Sequence, residues 1–383
     1  MLIRRLSLLL LVLALVGCDS DPMGVDASTG DASAGDSGAL DAGTPPTDAG
    51  RDAGSTPDAG PVTPPGELEI TPGTPPLTVS EGTVFTTLSY GPGDRQELDV
   101  FFHPDAAEPT PVVIFIHGGG FTGGNRQSAY AGGTGEGLQY LVDQGLAYVS
   151  INYSLLALGS ETEGVIKSLR DSRRALQFIR YYAGPLNIDP SRVALIGSSA
   201  GAGTSLWLAF HDDMADPSGD EIAQQSTRVT AAAVVATQAT YELFRWPTDV
   251  FSPTYPLTVD GLLGTPILAA QVATFYGVSL ALVNQPEMLR ATLEQPQYVE
   301  YRQELDMLAW MSADDPPFYA RNQASDVAPN APGFDILHHP LHAQALADRA
   351  AEVGVTAIVE APEIELGGME NSAAFLLEQL TAD

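Results

Sequence analysis

Residues 193–201 read VALIGSSAG. Val193 to Ile196 are apolar at every position, the pattern of a strand buried on both faces inside a parallel sheet. A glycine–x–serine–x–glycine turn follows (Gly197, Ser198, Ser199, Ala200, Gly201), and then the small and apolar run AGTSLWLAF, which reads as a helix. A chain that passes sharply from strand to helix at a serine pushes its hydroxyl out of the turn. The helix N-terminus adds a field that favours developing negative charge there. Ser199 is therefore the candidate nucleophile. A serine hydroxyl is a poor nucleophile at neutral pH, so a base must lie within hydrogen-bond reach.

Working upstream, residues 112–124 read VVIFIHGGGFTGG, a second buried strand that runs into glycines. Backbone without β-carbons can turn its N–H groups towards an incoming oxygen. Such donors stabilise the oxyanion of acyl transfer, and losing one commonly costs about 3–4 kcal/mol of barrier. Either motif alone also serves plain tight turns. Both in this order, each directly after a buried strand, point to one site. Further strands are expected at 83–90, 97–103, 147–153, 192–197, 229–238, 317–321 and 355–360. Helices are expected at 165–182, after Ser199, at 340–353 and at 371–380. Strand–helix alternation of this kind predicts a doubly wound, mostly parallel α/β sheet. The segment 243–312 breaks the rhythm and reads as a helical, aromatic-bearing insertion that caps the sheet's carboxyl edge.

HGGGF followed by GSSAG, with RDSRRALQFIRYYAGPLNIDPSRVALIG leading into the serine, resembles the α/β-hydrolase superfamily. The similarity is to its bacterial carboxylesterase branch, which includes hormone-sensitive-lipase-like and feruloyl or acetyl-xylan esterase-like proteins. The resemblance implies Ser199 as nucleophile and the N–H groups of Gly119, Gly120 and Ala200 as oxyanion donors. It implies a structural role for His117. The acid should follow the next-to-last strand, where Asp326 in NQASD fits and Asp335 in GFDILHHP competes. Members of the branch commonly carry arginine where this chain has Ser154, and they place the triad histidine after the last strand. Here that loop, residues 361–375, reads APEIELGGMENSAAF and holds no histidine; all six (103, 117, 211, 338, 339 and 342) lie earlier. Three readings stay open. His338 or His339, just before a helix, supplies the base; or a carboxylate such as Glu365 or Glu370 substitutes; or the scaffold is catalytically silent and serves as a binding module.

The first residues are of another kind. Arg4 and Arg5 precede a Leu-rich run, and LVGC at 15–18 resembles the bacterial lipobox, whose cysteine becomes a lipidated N-terminus. Eleven or so apolar residues would span roughly 16 Å as a helix, about half of a bilayer's hydrocarbon core. Residues 1–18 are thus expected to be a lipoprotein signal peptide, with lipid on Cys18, the chain's single cysteine. Residues 19–66 repeat DAG, carry nine aspartates against one arginine, and almost lack large apolar side chains. Such a segment cannot bury enough surface to order itself, so a disordered acidic tether is expected. It leads to a single hydrolase domain at 67–383.

The formal net charge of −31 argues against nucleic acid as a partner. There is no metal-binding cysteine pair, HExxH, Walker-type GK[ST] or dinucleotide fingerprint, and the implied chemistry needs no cofactor. The expected partners are a small-molecule or carbohydrate ester as substrate and a membrane reached through the lipid, with action outside the cytoplasm. Small-acyl or carbohydrate-linked esters come from the resemblance alone.

Overall fold

The computed structural model describes residues 66–324, 327–329, 331–361, 364–365 and 371–382. Residues 1–65, and with them the expected signal peptide, Cys18 and nearly all of the acidic tether, lie outside the described residues. So do Asp326 and Glu370.

Among the described residues, nine strands form one sheet: β1 (Val84–Ser89), β2 (Glu97–Phe102), β3 (Thr110–Ile116), β4 (Ala147–Ile151), β5 (Ile188–Ser198), β6 (Ala231–Val235), β7 (Phe318–Arg321), β8 (Ala357–Ala361) and β9 (Ile364–Glu365). Their spatial order is β1-β2-β4-β3-β5-β6-β7-β8-β9. The pairs from β4 through β8 are parallel, and the two edges are antiparallel. This is the mostly parallel α/β-hydrolase sheet that the sequence predicts, with β9 as an addition.

The continuous apolar runs have a direct cause. In β3, Val112, Ile114 and Ile116 join the core on one face, while Val113 and Phe115 join the core on the other. β4 divides its residues likewise, with Val149 and Ile151 opposite Tyr148. Covered on both sides, these strands have no solvent face on which a polar residue could alternate.

The helices are α1 (Gly132–Asp143), α2 (Ile166–Tyr181), α3 (Ala200–Phe210), α4 (Val259–Leu263), α5 (Pro266–Phe275), α6 (Pro286–Leu293), α7 (Pro296–Glu304), α8 (Met307–Trp310), α9 (Pro340–Val353) and α10 (Ser372–Thr381). The sequence reading does not anticipate α1, which opens GGTGEG and so has poor intrinsic propensity. Leu138, Leu141 and Val142 stabilise it by packing into the core shared with Phe375, Leu376 and Leu380 of α10. α9 begins at Pro340 and stops at Gly354, which takes φ +87° in the left-handed region.

The insertion, α4 to α8 with the turns before them, is anchored through buried charge. Arg302 on α7 pairs with Glu242, whose carboxyl burial pushes up to about 7. Asp306, just before α8, accepts the hydroxyl of Thr240 at 3.0 Å. Phe275 at the end of α5 meets Phe121, just past the glycine loop, edge-on at 6.0 Å. The insertion thus packs on a loop leaving the carboxyl end of β3.

Candidate active site

The serine turn is built by close approach. A β-carbon on Gly201 would lie 1.9 Å from the carbonyl oxygen of Ile116, and one on Gly197 would lie 2.4 Å from that of Gly201. Only glycine lets α3 start this near to β3. Between them Ser199 takes φ +51°, ψ −117°, a conformation rare for a residue with a side chain. Ser199 occupies the cap position of α3, yet its hydroxyl makes no capping hydrogen bond. It reaches out instead, and its Oγ lies 2.9 Å from Nε2 of His338.

His338 sits in the turn between β7 and α9. Its Nδ1 lies 2.7 Å from Oδ2 of Asp335. The other carboxylate oxygen of Asp335 accepts the backbone N–H groups of Leu337 (3.0 Å) and His338 (3.2 Å). Burial raises the Asp335 carboxyl, but the imidazole and these N–H donors outweigh it and hold the group below the ordinary aspartate range. An ionised Asp335 keeps the Nδ1 proton on its side and leaves Nε2 free to accept from the serine. Ser199, His338 and Asp335 therefore form one continuous hydrogen-bonded chain.

His339 is directed elsewhere. It is fully buried, and its Nδ1 caps α9 by accepting the N–H of Leu341 at 3.2 Å. Phe251, Tyr255 and Phe334 surround its ring at 5.4–5.7 Å. Of the two neighbouring histidines, the structure brings only His338 to the serine. The carboxylate described at that histidine is that of Asp335; Asp326, which the resemblance favoured, lies outside the described residues. A carboxylate three residues before the histidine meets its ring within a single turn. The side chain of Glu365 is not described.

The glycine loop lies against the serine. A β-carbon on Gly118 would sit 2.9 Å from the Ser198 carbonyl oxygen and 3.4 Å from Cβ of Ser199. Gly119 and Gly120 have φ of +107° and +59°. The Gly119 carbonyl accepts the N–H groups of Thr122 and Gly123 at 3.0 Å each, closing the turn. No backbone carbonyl among the described residues takes the N–H groups of Gly119, Gly120 or Ala200. His117 anchors the loop. Its ring stacks on Tyr153 at 4.2 Å, and its Nδ1 donates to the Gly118 carbonyl at 2.7 Å. Burial lowers its pKa to about 4, so it is neutral and structural at working pH.

Gly66 to Glu69, Thr87 to Ser89, Phe178 and Tyr182 line a groove beside β1. None of its lining residues belongs to the Ser199 chain.

The chain is similar to several known proteins. Esterase B1 of Culex pipiens is 33% identical over 131 residues, covering 32% of this chain and 23% of that protein. Neuroligin-like protein glit-1 of Caenorhabditis elegans is 29% identical over 141 residues, covering 35% of this chain and 18% of that protein. The chain thus spans less than a quarter of the length of these curated relatives. The truncated form of a carbohydrate esterase from gut microbiota superposes with a TM-score of 0.52 at 17% identity, covering 79% of this chain and 99% of that one; this likeness speaks for the fold. Residues 98–311, more than half of the chain, match the BD-FAE family model, and the chain, with its α/β-hydrolase fold, belongs to that family.

Proposed function

We propose that the protein hydrolyses carboxylic esters through an acyl-enzyme on Ser199, with His338 as general base and acid and Asp335 as its orienting carboxylate. The observation that carries this reading is the 2.9 Å approach of Ser199 Oγ to His338 Nε2, backed by the 2.7 Å contact to Asp335. In acylation, Oγ attacks the ester carbonyl carbon while His338 Nε2 takes the hydroxyl proton. The oxyanion that forms is received by the N–H groups of Gly119, Gly120 and Ala200. Collapse breaks the ester C–O bond, and His338 returns the proton to the departing alcohol. Water then repeats the cycle: His338 removes its proton, the acyl carbon takes the hydroxide, and Ser199 leaves reprotonated. Asp335 stabilises the imidazolium in both halves without itself taking the proton.

Small acyl groups, on simple or carbohydrate alcohols, are the proposed substrates, from the resemblance of HGGGF and GSSAG to that esterase branch. Action outside the cytoplasm, with the lipid anchor on Cys18, is proposed from residues 1–18. A Cys18→Ser chain released to the soluble fraction, against a membrane-bound wild type, would support the anchor; equal partitioning would remove it.

The decisive experiment treats the full chain with a fluorophosphonate and weighs the intact protein beside Ser199→Ala. One adduct, absent in the variant, supports an activated serine. No adduct favours the silent binding scaffold, the reading that partial similarity to a neuroligin-like protein keeps in view.

A further inference from the structure

The last residue of β6 and the four that follow it are each hydrogen-bonded to a neighbouring segment: the serine turn, the end of β7, the base turn or α9. Val235 accepts the N–H of Ser199 at 3.0 Å. Ala236, at φ +55°, turns the chain and donates to the Arg321 carbonyl at 2.7 Å. Thr237 exchanges hydrogen bonds with the side chain of Asn322, donating to its Oδ1 (2.8 Å) and accepting from its Nδ2 (2.9 Å). Gln238 then donates from Nε2 to the Leu337 carbonyl at 2.8 Å. Ala239 donates its N–H to Nδ1 of His342 at 3.2 Å, and Nε2 of His342 lies 2.9 Å from the Ile336 carbonyl. Ile336 and Leu337 are the two residues between Asp335 and His338. One strap therefore holds the nucleophile's backbone at its start and both carbonyls of the base turn at its end.

His342 is fully buried on the first turn of α9. Accepting at Nδ1 while donating at Nε2 needs one neutral tautomer, and burial lowers the pKa of this ring to about 3, which keeps it neutral. Trp246 and Phe251 of the insertion pack against the ring at 4.8 and 5.5 Å. The imidazole can neither rotate nor charge without dropping one of its two partners.

We propose that His342 and Gln238 are positioning residues for the reaction: they fix the Asp335–His338 turn to the strap that also holds Ser199, and so set the distance between nucleophile and base. The inference rests on the hydrolase reading above. A misplacement of about 1 Å between reacting groups is enough to cost roughly 10²-fold in rate.

The test compares full-length wild type with His342→Leu, His342→Gln and Gln238→Met. The readouts are kcat and KM on p-nitrophenyl acetate, the rate of fluorophosphonate labelling, and the number of serines labelled. His342→Leu should lower kcat per labelled serine and the labelling rate together by roughly 10²-fold, with KM little changed. His342→Gln retains an acceptor and a donor and should recover most of that loss. Gln238→Met keeps the shape without the donor and should lose roughly tenfold. A folded His342→Leu protein with wild-type kcat per labelled serine overturns the inference, as does a fall only in the number of serines labelled. Should His342→Leu not fold, an unchanged kcat in Gln238→Met overturns it alone. Absence of labelling in the wild type, or its persistence in Ser199→Ala, overturns the hydrolase reading and this inference with it.

Discussion

The two halves of the site are made differently. The serine half is contiguous: Gly197 to Gly201 sit on the join of β5 and α3, and two glycines let helix and strand approach within backbone contact. The base half is a turn of four residues, 335–338, outside any strand or helix, with the Asp335 side chain 42% exposed and that of His338 25% exposed. Among the described residues, the regular element next to it in sequence is α9. The first half holds its geometry by local covalent and packing constraints. The second depends on hydrogen bonds from β6's trailing residues and on aromatic side chains from the insertion. A nucleophile can be encoded locally, whereas its partner is assembled from afar.

The comparison breaks most sharply if the two halves are not one catalytic unit. Ser199→Ala and His338→Ala should each lower kcat by about 10⁵-fold or more, and the double variant should be little worse than either, because groups acting together are not additive. Initial rates on p-nitrophenyl acetate check this; additive losses would mean that His338 works apart from Ser199. A smaller effect tests the inner link of the base half. Asp335→Asn should cost roughly 10³–10⁴-fold in kcat by allowing the wrong tautomer. The retained shape should leave KM and thermal melting nearly unchanged, and a loss confined to KM would count against the link.

Acid titration separates the halves by stability. His117 in the glycine loop and His342 in the base half have folded pKa values lowered from 6.5 to about 4 and about 3. Each binds its proton more readily in the unfolded chain, so stability falls as pH drops below about 6.5. The slope is about 1.4 kcal/mol per pH unit for each histidine, until its folded pKa is passed. Denaturant unfolding between pH 7 and 4 should show this slope, and His342→Gln should remove His342's share of it. Asp335 acts at the acid end: its folded pKa is depressed, so its contribution is complete above the unfolded value near 3.9 and is lost as pH falls through the folded one.

The mildest change sharpens the contrast between neighbours. His339→Asn keeps a capping acceptor for Leu341 but removes a ring packed among aromatics. It should cost about 1–2 kcal/mol of stability while leaving kcat close to wild type, whereas His338→Asn should abolish turnover. Equal losses in the two variants would merge the roles that the geometry keeps apart.

The strands were readable because each carries its own signal. VVIFI and VALIG are apolar throughout, and β3 and residues 193–195 of β5 are buried on both faces. α1 escaped the sequence reading because its glycines oppose helix formation and only packing against α10 overcomes them. The same reading offered the HHP pair as one source of the base, beside a carboxylate or a silent scaffold, and had no means of choosing between the two rings. His338 and His339 are adjacent and chemically identical, and only the turn at Asp335 sends one ring to the serine and the other into the Phe251, Tyr255 and Phe334 cluster. His342, Gln238 and Asn322 carried no signal at all, since a single polar residue next to an apolar run has no local pattern that marks it as a strut.

By itself, then, the sequence determined the sheet, the serine turn and the glycine loop, because backbone sterics and burial act over a few neighbouring residues. Tertiary structure alone decided which of the adjacent histidines reaches Ser199, with Asp335 against its far side. The contact to Ser199 joins positions some 140 residues apart (Ser199 and His338 are separated by 139), and such closure depends on the packing of every element between them, which no local pattern records.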